Sequence, residues 1–290
     1  MLPSPRLVRS AIALARVVPA PLFRAAFSVI GSLGWWGAGA RRQVALENAR
    51  HLAPDRSAAE QRAIARRLFR NLFEAASDLF RLPVMGREGL LELVACEGLD
   101  GFRAALAGGR GVIVATGHLG AYELGAAWVA AMGFPVHAMV EDLDPEANAA
   151  LATYRRATGL HLVGRNTGTR VLYRLLREGQ VILLAADRVV GAGAHEGMRV
   201  PFGDASRSVP MGPAVLAIAT GAPIVVASIV RGEPGGTRYV VRMEAPIDPT
   251  GRDRDALARE VAARLDTLTR AHPDQWFVFQ PEWLPRDAGP

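Results

Sequence analysis

His118 is followed five positions later by Glu123 in the stretch Gly117-His118-Leu119-Gly120-Ala121-Tyr122-Glu123. A carboxylate on one ring nitrogen of an imidazole fixes the tautomer and makes the other nitrogen a better general base. The apolar run Val112 to Ala115 before the pair reads as a short buried parallel strand. From about Gly120 the chain reads as a small-residue helix, one turn of which brings Glu123 under the ring. A histidine at the carboxyl end of such a strand lies where open α/β sheets bind their ligands. A His and a Glu that merely share a helix start would carry the same spacing, so the pair alone leaves a structural reading open.

Three further groups accompany it. Tyr154-Arg155-Arg156-Ala157-Thr158-Gly159, with Arg165 beyond, falls at a helix-to-strand junction. Paired arginines there either hold a phosphate bidentately or form a solvated helix face. Asp187-Arg188 terminates the apolar run Leu183 to Ala186, which places it at a strand rim as site residues or as an internal ion pair. The loop from Gly191 to Ser208 carries His195, Glu196, Arg199 and Pro201-Phe202-Gly203, and its glycines and charges suit a cover over a site. His195, His118 and Asp187 come from separate loops without a local ligand spacing, so no metal is expected. The chain has no Gly-x-Ser-x-Gly elbow, and the glycines of Ala107 to Gly111 precede a strand instead of following one. Serine-hydrolase and dinucleotide-binding readings therefore fail.

These residues need a scaffold, and the 290-residue chain is long enough to bury a sizeable core. From about residue 90, short apolar strands alternate with helices. Strands are expected near 91–96, 111–115, 135–140, 160–163, 180–185, 197–201, 223–230 and 237–244. Helices are expected near 100–107, 120–132, 145–158, 167–178, 211–220 and 254–271. That alternation means an α/β fold with a mostly parallel sheet flanked by helices. Ser57-Ala-Ala-Glu60 is a capping box that opens a helix with Ile64, Leu68, Leu72, Ala76 and Leu79 on one stripe, ended by Pro83. Phe69, Phe73 and Phe80 beside it read as core contacts.

The composition narrows the chemistry. All 34 basic residues are arginine, which excludes Schiff-base lysines and a Walker-type phosphate loop. A single cysteine, Cys96, excludes an internal disulfide and a multi-Cys zinc site, and it reads as a core residue. Residues 1–82 carry a net charge of +8 and residues 83–290 a net charge of −2. No nucleic-acid motif accompanies the basic third, so an anionic membrane surface is the expected partner. Residues 1–40 are apolar but broken by Arg9, Arg16, Arg24 and prolines, too short in any run for a bilayer span of ~20 residues. No cleavable signal peptide fits. Two amphipathic helices lying on the membrane fit better, the second tipped by Trp35 and Trp36. The expected organisation is a membrane-associating segment, 1–40, and an α/β domain, 41–290.

Taken in order, the chain resembles the bacterial lysophospholipid acyltransferase superfamily, in the branch of lipid A late acyltransferases and phosphatidylinositol mannoside acyltransferases. The resemblance rests on Arg110-Gly111-Val-Ile, Gly117-His118-Leu-Gly-Ala-Tyr-Glu123 and Tyr154-Arg-Arg-Ala-Thr-Gly159. It continues through Gly179-Gln-Val-Ile-Leu-Leu-Ala-Ala-Asp187-Arg188, Val200-Pro-Phe-Gly203 and Pro210-Met-Gly-Pro-Ala214, spanning about residues 41 to 283. It implies a peripheral enzyme on the cytoplasmic face of the inner membrane. Such an enzyme moves a fatty acyl group from acyl-CoA or acyl carrier protein to a lipid hydroxyl, with no other cofactor. Carried over, His118 is the general base and Glu123 its orienting acid. Arg155, Arg156, Arg165, Asp187, Arg188 and Glu196 are expected to bind the acceptor or its phosphate, and Tyr122 and Trp128 to line the acyl groove. The sequence departs from the branch at Ala121-Tyr122, where Asn-Trp is common. It departs again at Met198-Arg199, where an acid is common and Glu196 is the nearby one. The Asp-Arg and Pro-x-Gly-Pro-Ala segments lean toward mannoside acceptors. A simple lysophospholipid acyltransferase, or a non-catalytic lipid-binding protein on the same fold, is the alternative.

Overall fold

Four helices precede the first strand: α1 (Pro5–Val17), α2 (Ala20–Gly37), α3 (Ala40–Leu52) and α4 (Ala58–Leu93). The structure, a computed structural model, describes residues 5–140, 158–164, 168–189, 197–233 and 235–285. The expected helix near 145–158 lies largely outside them. The capping box forms as read: the Ser57 hydroxyl accepts the Glu60 amide at 3.4 Å, and the Glu60 carboxylate accepts the Ser57 amide at 2.9 Å. Pro83 does not end α4. Leu82 and Leu90 are buried on either side of the break, and that burial carries the helix past the proline. The kink falls three residues later at Gly86, whose φ of 64° suits glycine.

The remaining elements are β1 (Val94–Glu97), α5 (Leu99–Ala107), β2 (Val112–Thr116), α6 (Tyr122–Ala131), β3 (Val136–Val140), β4 (His161–Gly164), α7 (Thr169–Arg177), β5 (Val181–Ala185), β6 (Gly197–Phe202), β7 (Ala205–Pro210), α8 (Gly212–Thr220), β8 (Ile224–Arg231), β9 (Tyr239–Met243) and α9 (Arg254–Ala271). Seven strands form one sheet in the order β1-β9-β8-β2-β5-β3-β4. Strands β8, β2, β5, β3 and β4 are parallel; β9 turns back antiparallel on β8, and β1 follows β9. The α/β, mostly parallel reading therefore holds. The strand expected near 197–201 forms as β6, but outside the main sheet: it pairs antiparallel with β7, which was not expected, from Gly197 opposite Pro210 to Phe202 opposite Ala205. The two-residue joint Gly203-Asp204, with Gly203 at φ 60°, is the turn chemistry a tight hairpin requires.

Apolar side chains fill both faces of the sheet. One cluster unites β2, β8 and β9 with α4 and α6; the other unites β2, β5 and β8 with α7, α8 and α9. Cys96 is half-buried, and burial pushes its thiol up to about 11. Helix α2 packs on α4, where the wholly buried Asp78 accepts Arg24 at 2.9 Å and the Tyr239 hydroxyl at 2.8 Å, and also pairs with Arg238. The outer side of α1 and α2 is apolar and open: Leu14, Val17, Leu22, Val29, Leu33 and Trp36 are each more than half exposed. Trp35 is not part of it. It is buried in a third cluster, edge-on to Phe69, so Trp36 alone tips the hairpin. Among the described residues no helix is long and apolar enough to cross a membrane.

Candidate active site

Strands β2 and β5 are neighbours and end together, so the residues that follow each strand meet. Thr116 pairs with Ala185, and the Thr116 carbonyl accepts the Ala186 amide at 2.7 Å. His118 is two residues beyond the first strand and Asp187 two beyond the second. The result is a bond pattern that fixes both. One Asp187 oxygen lies 2.8 Å from His118 Nδ1. The other accepts the His118 amide at 2.7 Å and the Trp276 indole N–H at 2.9 Å.

Asp187 is wholly buried. Burial by itself pushes a carboxyl up, but the His118 charge and the His118 and Trp276 donors outweigh it and hold Asp187 well below the usual carboxylate range. An ionised carboxylate can only accept, so Nδ1 carries the proton, and in the neutral form of the ring Nε2 is the acceptor. Nε2 points toward the rim, with Arg188 Nη2 at 3.5 Å. The edge of Tyr122 packs on the ring at a centroid distance of 5.1 Å. The ring is 17% exposed, enough to be reached by a substrate and too little to rotate freely.

The backbone under the histidine is held as firmly. The His118 carbonyl accepts the Phe277 amide at 2.8 Å, and the Gly120 amide donates to the Gln275 carbonyl at 2.7 Å. Gly120 has φ 61°, and a Cβ there would fall 1.8 Å from the Ile229 carbonyl oxygen. Gly120→Ala is therefore expected to destabilise the fold by about 2–4 kcal/mol, read by chemical denaturation.

The acid at Nδ1 is Asp187, from the neighbouring strand end. Glu123 opens α6, half-buried, where a carboxylate complements the helix dipole, while Asp187 occupies Nδ1 and Arg188 faces Nε2. Asp187 and Arg188, expected to bind the acceptor, both touch the imidazole. Trp128 is buried in the core with its indole N–H lacking a protein partner. Arg155, Arg156, Arg165 and Glu196, with His195, lie outside the described residues. Among those described, no three His, Cys, Asp or Glu side chains converge as metal ligands.

Sequence reasoning missed Trp276, Arg207 and Glu282. Arg207 packs on Trp276 and donates to Glu282 at 2.9 Å, and the charges of Arg188, Asp187 and His118 all act on Glu282. A signal was present: two tryptophans, Trp276 and Trp283, stand seven residues apart in this sequence.

The family model for bacterial lipid A biosynthesis acyltransferases matches residues 6–285. The chain belongs to the bacterial lipid A biosynthesis acyltransferase family. Within this acyltransferase family, it is 30% and 29% identical over 214 residues to phosphatidylinositol mannoside acyltransferases from two strains of Mycobacterium tuberculosis, CDC 1551 and H37Rv. It is 30% identical over 214 residues to the protein of that name from Mycolicibacterium smegmatis. The matched stretch covers 71% of this chain and 66% to 68% of those relatives, so the chain spans about two thirds of their length. Among solved structures it is similar to the 1-acyl-sn-glycerophosphate acyltransferase PlsC from Thermotoga maritima. That match has a TM-score of 0.41 and 16% identity, and covers 71% of this chain and 83% of that one. The strand-end motif bearing His118 lies inside the stretch that the family model matches.

Proposed function

We propose that this protein transfers a fatty acyl group from a thioester, acyl-CoA or acyl carrier protein, to a hydroxyl of a mannosylated phosphatidylinositol or a similar glycolipid. The observation that carries the reading is the partly exposed imidazole on the β2 rim, with Nδ1 against the buried Asp187 and Nε2 facing Arg188 at 3.5 Å. Nε2 takes the proton from the acceptor hydroxyl as its oxygen attacks the thioester carbon. The tetrahedral oxyanion collapses, the C–S bond breaks, and the thiolate leaves with the proton that His118 returns. Arg188, at 3.5 Å from Nε2, is placed to face the developing oxyanion or the acceptor's phosphate. Glu123, at the start of α6, keeps a role in the site as the acid of the His-x4-acid motif. The relatives' printed names support the choice of acceptor class.

The reaction is tested with purified protein, labelled acyl-CoA or acyl carrier protein, and vesicles containing mannosylated phosphatidylinositol. Label is expected in the glycolipid. Label only in an added lysophospholipid would assign the simpler acceptor, and no transfer from either donor would overturn the reading.

We place the site at an anionic membrane surface, the cytoplasmic face of the inner membrane. The exposed apolar side chains of α1 and α2 lie beside exposed Arg6, Arg9 and Arg16, the pattern of helices seated in a headgroup layer. Leu22→Asp and Leu33→Asp are each expected to weaken binding to phosphatidylinositol vesicles by about tenfold, since each removes a buried leucine's worth of transfer energy. Vesicle flotation at low and high salt checks it; wild-type flotation by the double variant would contradict the surface assignment.

A further inference from the structure

Arg207 is a costly residue for its position. Its side chain is wholly buried in β7, where a methionine or leucine would fill the space without desolvating a charge. Its guanidinium carbon lies 4.8 Å from the Trp276 ring and 4.9 Å from the Trp283 ring. One amino group, Nη2, donates to Glu282, while Nε and Nη1 have no hydrogen-bond partner among the described residues. The backbone around it is tied down as well. Ser206 and Leu284 exchange two hydrogen bonds of 3.0 and 2.9 Å, which brings Glu282 and Trp283 onto β7. The Trp283 indole donates to Asn48 at 2.7 Å, so the far side of the stack is anchored to α3.

We propose that Arg207 is a positioning residue for the His118–Asp187 pair, wedging Trp276 so that its indole N–H holds Asp187 and setting a fixed positive charge behind that carboxylate. The inference rests on the reading of His118 as the base. Two links carry it. The first is mechanical: Trp276 touches Arg207 on its face and Asp187 through its N–H, so the cation fixes the indole that fixes the carboxylate. The second is electrostatic. In a dry interior a unit charge acts over longer range than in water. Asp187, Glu282 and Glu47 of α3 attract Arg207, and Arg188 repels it. Glu282 is acted on in turn by Arg207, Arg188, Asp187 and His118. Arg207 thus pairs with Glu282, whose charge also acts on His118, and leaves Asp187 as the carboxylate bonded to the ring.

The sign follows. Without the Arg207 charge the surroundings of His118 become more negative by one unit, so the imidazole accepts a proton more readily and less of it is available as base near neutral pH. In the full-length protein, Arg207→Met is expected to move the acid limb of the kcat/KM profile up by about one pH unit. At neutral pH kcat is expected to fall about two- to tenfold, with the KM values for donor and acceptor within about threefold of wild type. Arg207→Lys restores a charge and should bring the limb back toward the wild-type position. Glu282→Gln removes the opposing charge and should move the limb down, a sign that loosened packing does not produce. It also serves should Arg207→Met fail to fold, which thermal melting and tryptophan fluorescence report. A folded Arg207→Met protein with the wild-type limb and kcat would overturn the inference, as would an unmoved or raised limb in Glu282→Gln. If His118→Ala still transfers acyl groups, the base reading has failed. If His118→Ala is inactive while both charge variants keep the wild-type profile, only the Arg207 assignment has failed.

Discussion

His118→Ala is expected to lower acyl transfer by about 10²- to 10⁴-fold while binding of acyl-CoA and of vesicles stays within a few-fold of wild type. The separation follows from the geometry. The His118 side chain is only 17% exposed, while the apolar face proposed to meet the membrane lies on α1 and α2. Loss of the ring therefore removes proton transfer and little of the binding surface. The checks are thiol release with acceptor lipid present and co-flotation of the variant with vesicles. A variant that loses both together would show that His118 supports structure instead.

Asp187→Asn is expected to cost as much or more. The carboxylate accepts three donors at once, two from His118 and one from Trp276. An amide supplies a single oxygen, so its nitrogen must face one of those N–H groups. Turned toward Nδ1, it forces the proton onto Nε2, where the ring can no longer accept from a hydroxyl. A wrong tautomer of this kind costs about 10⁴-fold in hydrolases built on a His–Asp pair. Glu123→Gln leaves the Nδ1 partner in place, and its effect is expected to be at least tenfold smaller than that of Asp187→Asn. Rates for the two variants, measured with one donor and one acceptor, decide which acid the imidazole depends on. Near-equal losses would return Glu123 to the role that the spacing suggested.

The His118–Asp187 contact shows where a sequence stops being legible. The strand before His118 and the strand before Asp187 were both readable as apolar runs, and both residues were placed on the rim. Their adjacency was not readable. In a parallel sheet, neighbouring strands are joined through helices, and among the described residues α6, β3, β4 and α7 all lie between β2 and β5. His118-x4-Glu123 was the pairing visible in one dimension, and a contact 69 residues away took the ring nitrogen. The same limit hid Arg207 and Trp276, which meet only because the segment after α9 folds back over β7.

Local signals fared according to how much tertiary burial opposed them. The Ser57–Glu60 capping box formed because exposed helix ends must satisfy their own amides. Pro83 was overridden because the side chains on either side of it are buried. Trp35 and Trp36 looked alike in sequence, yet helical geometry turned one into the core and left the other on the surface. The β6–β7 hairpin could have been found, since Gly203-Asp204 is the two-residue turn signature between two apolar alternations.

Chemical rescue tests the central claim most directly. His118→Gly, with its fold verified by melting, leaves the space of the imidazole beside Asp187. Acceptor-dependent thiol release by this variant is predicted to rise with added imidazole, saturably, in proportion to the unprotonated fraction of the added base. A folded His118→Gly protein whose transfer rate ignores imidazole, or already equals that of wild type, would contradict the assignment of His118 as the acyl-transfer base.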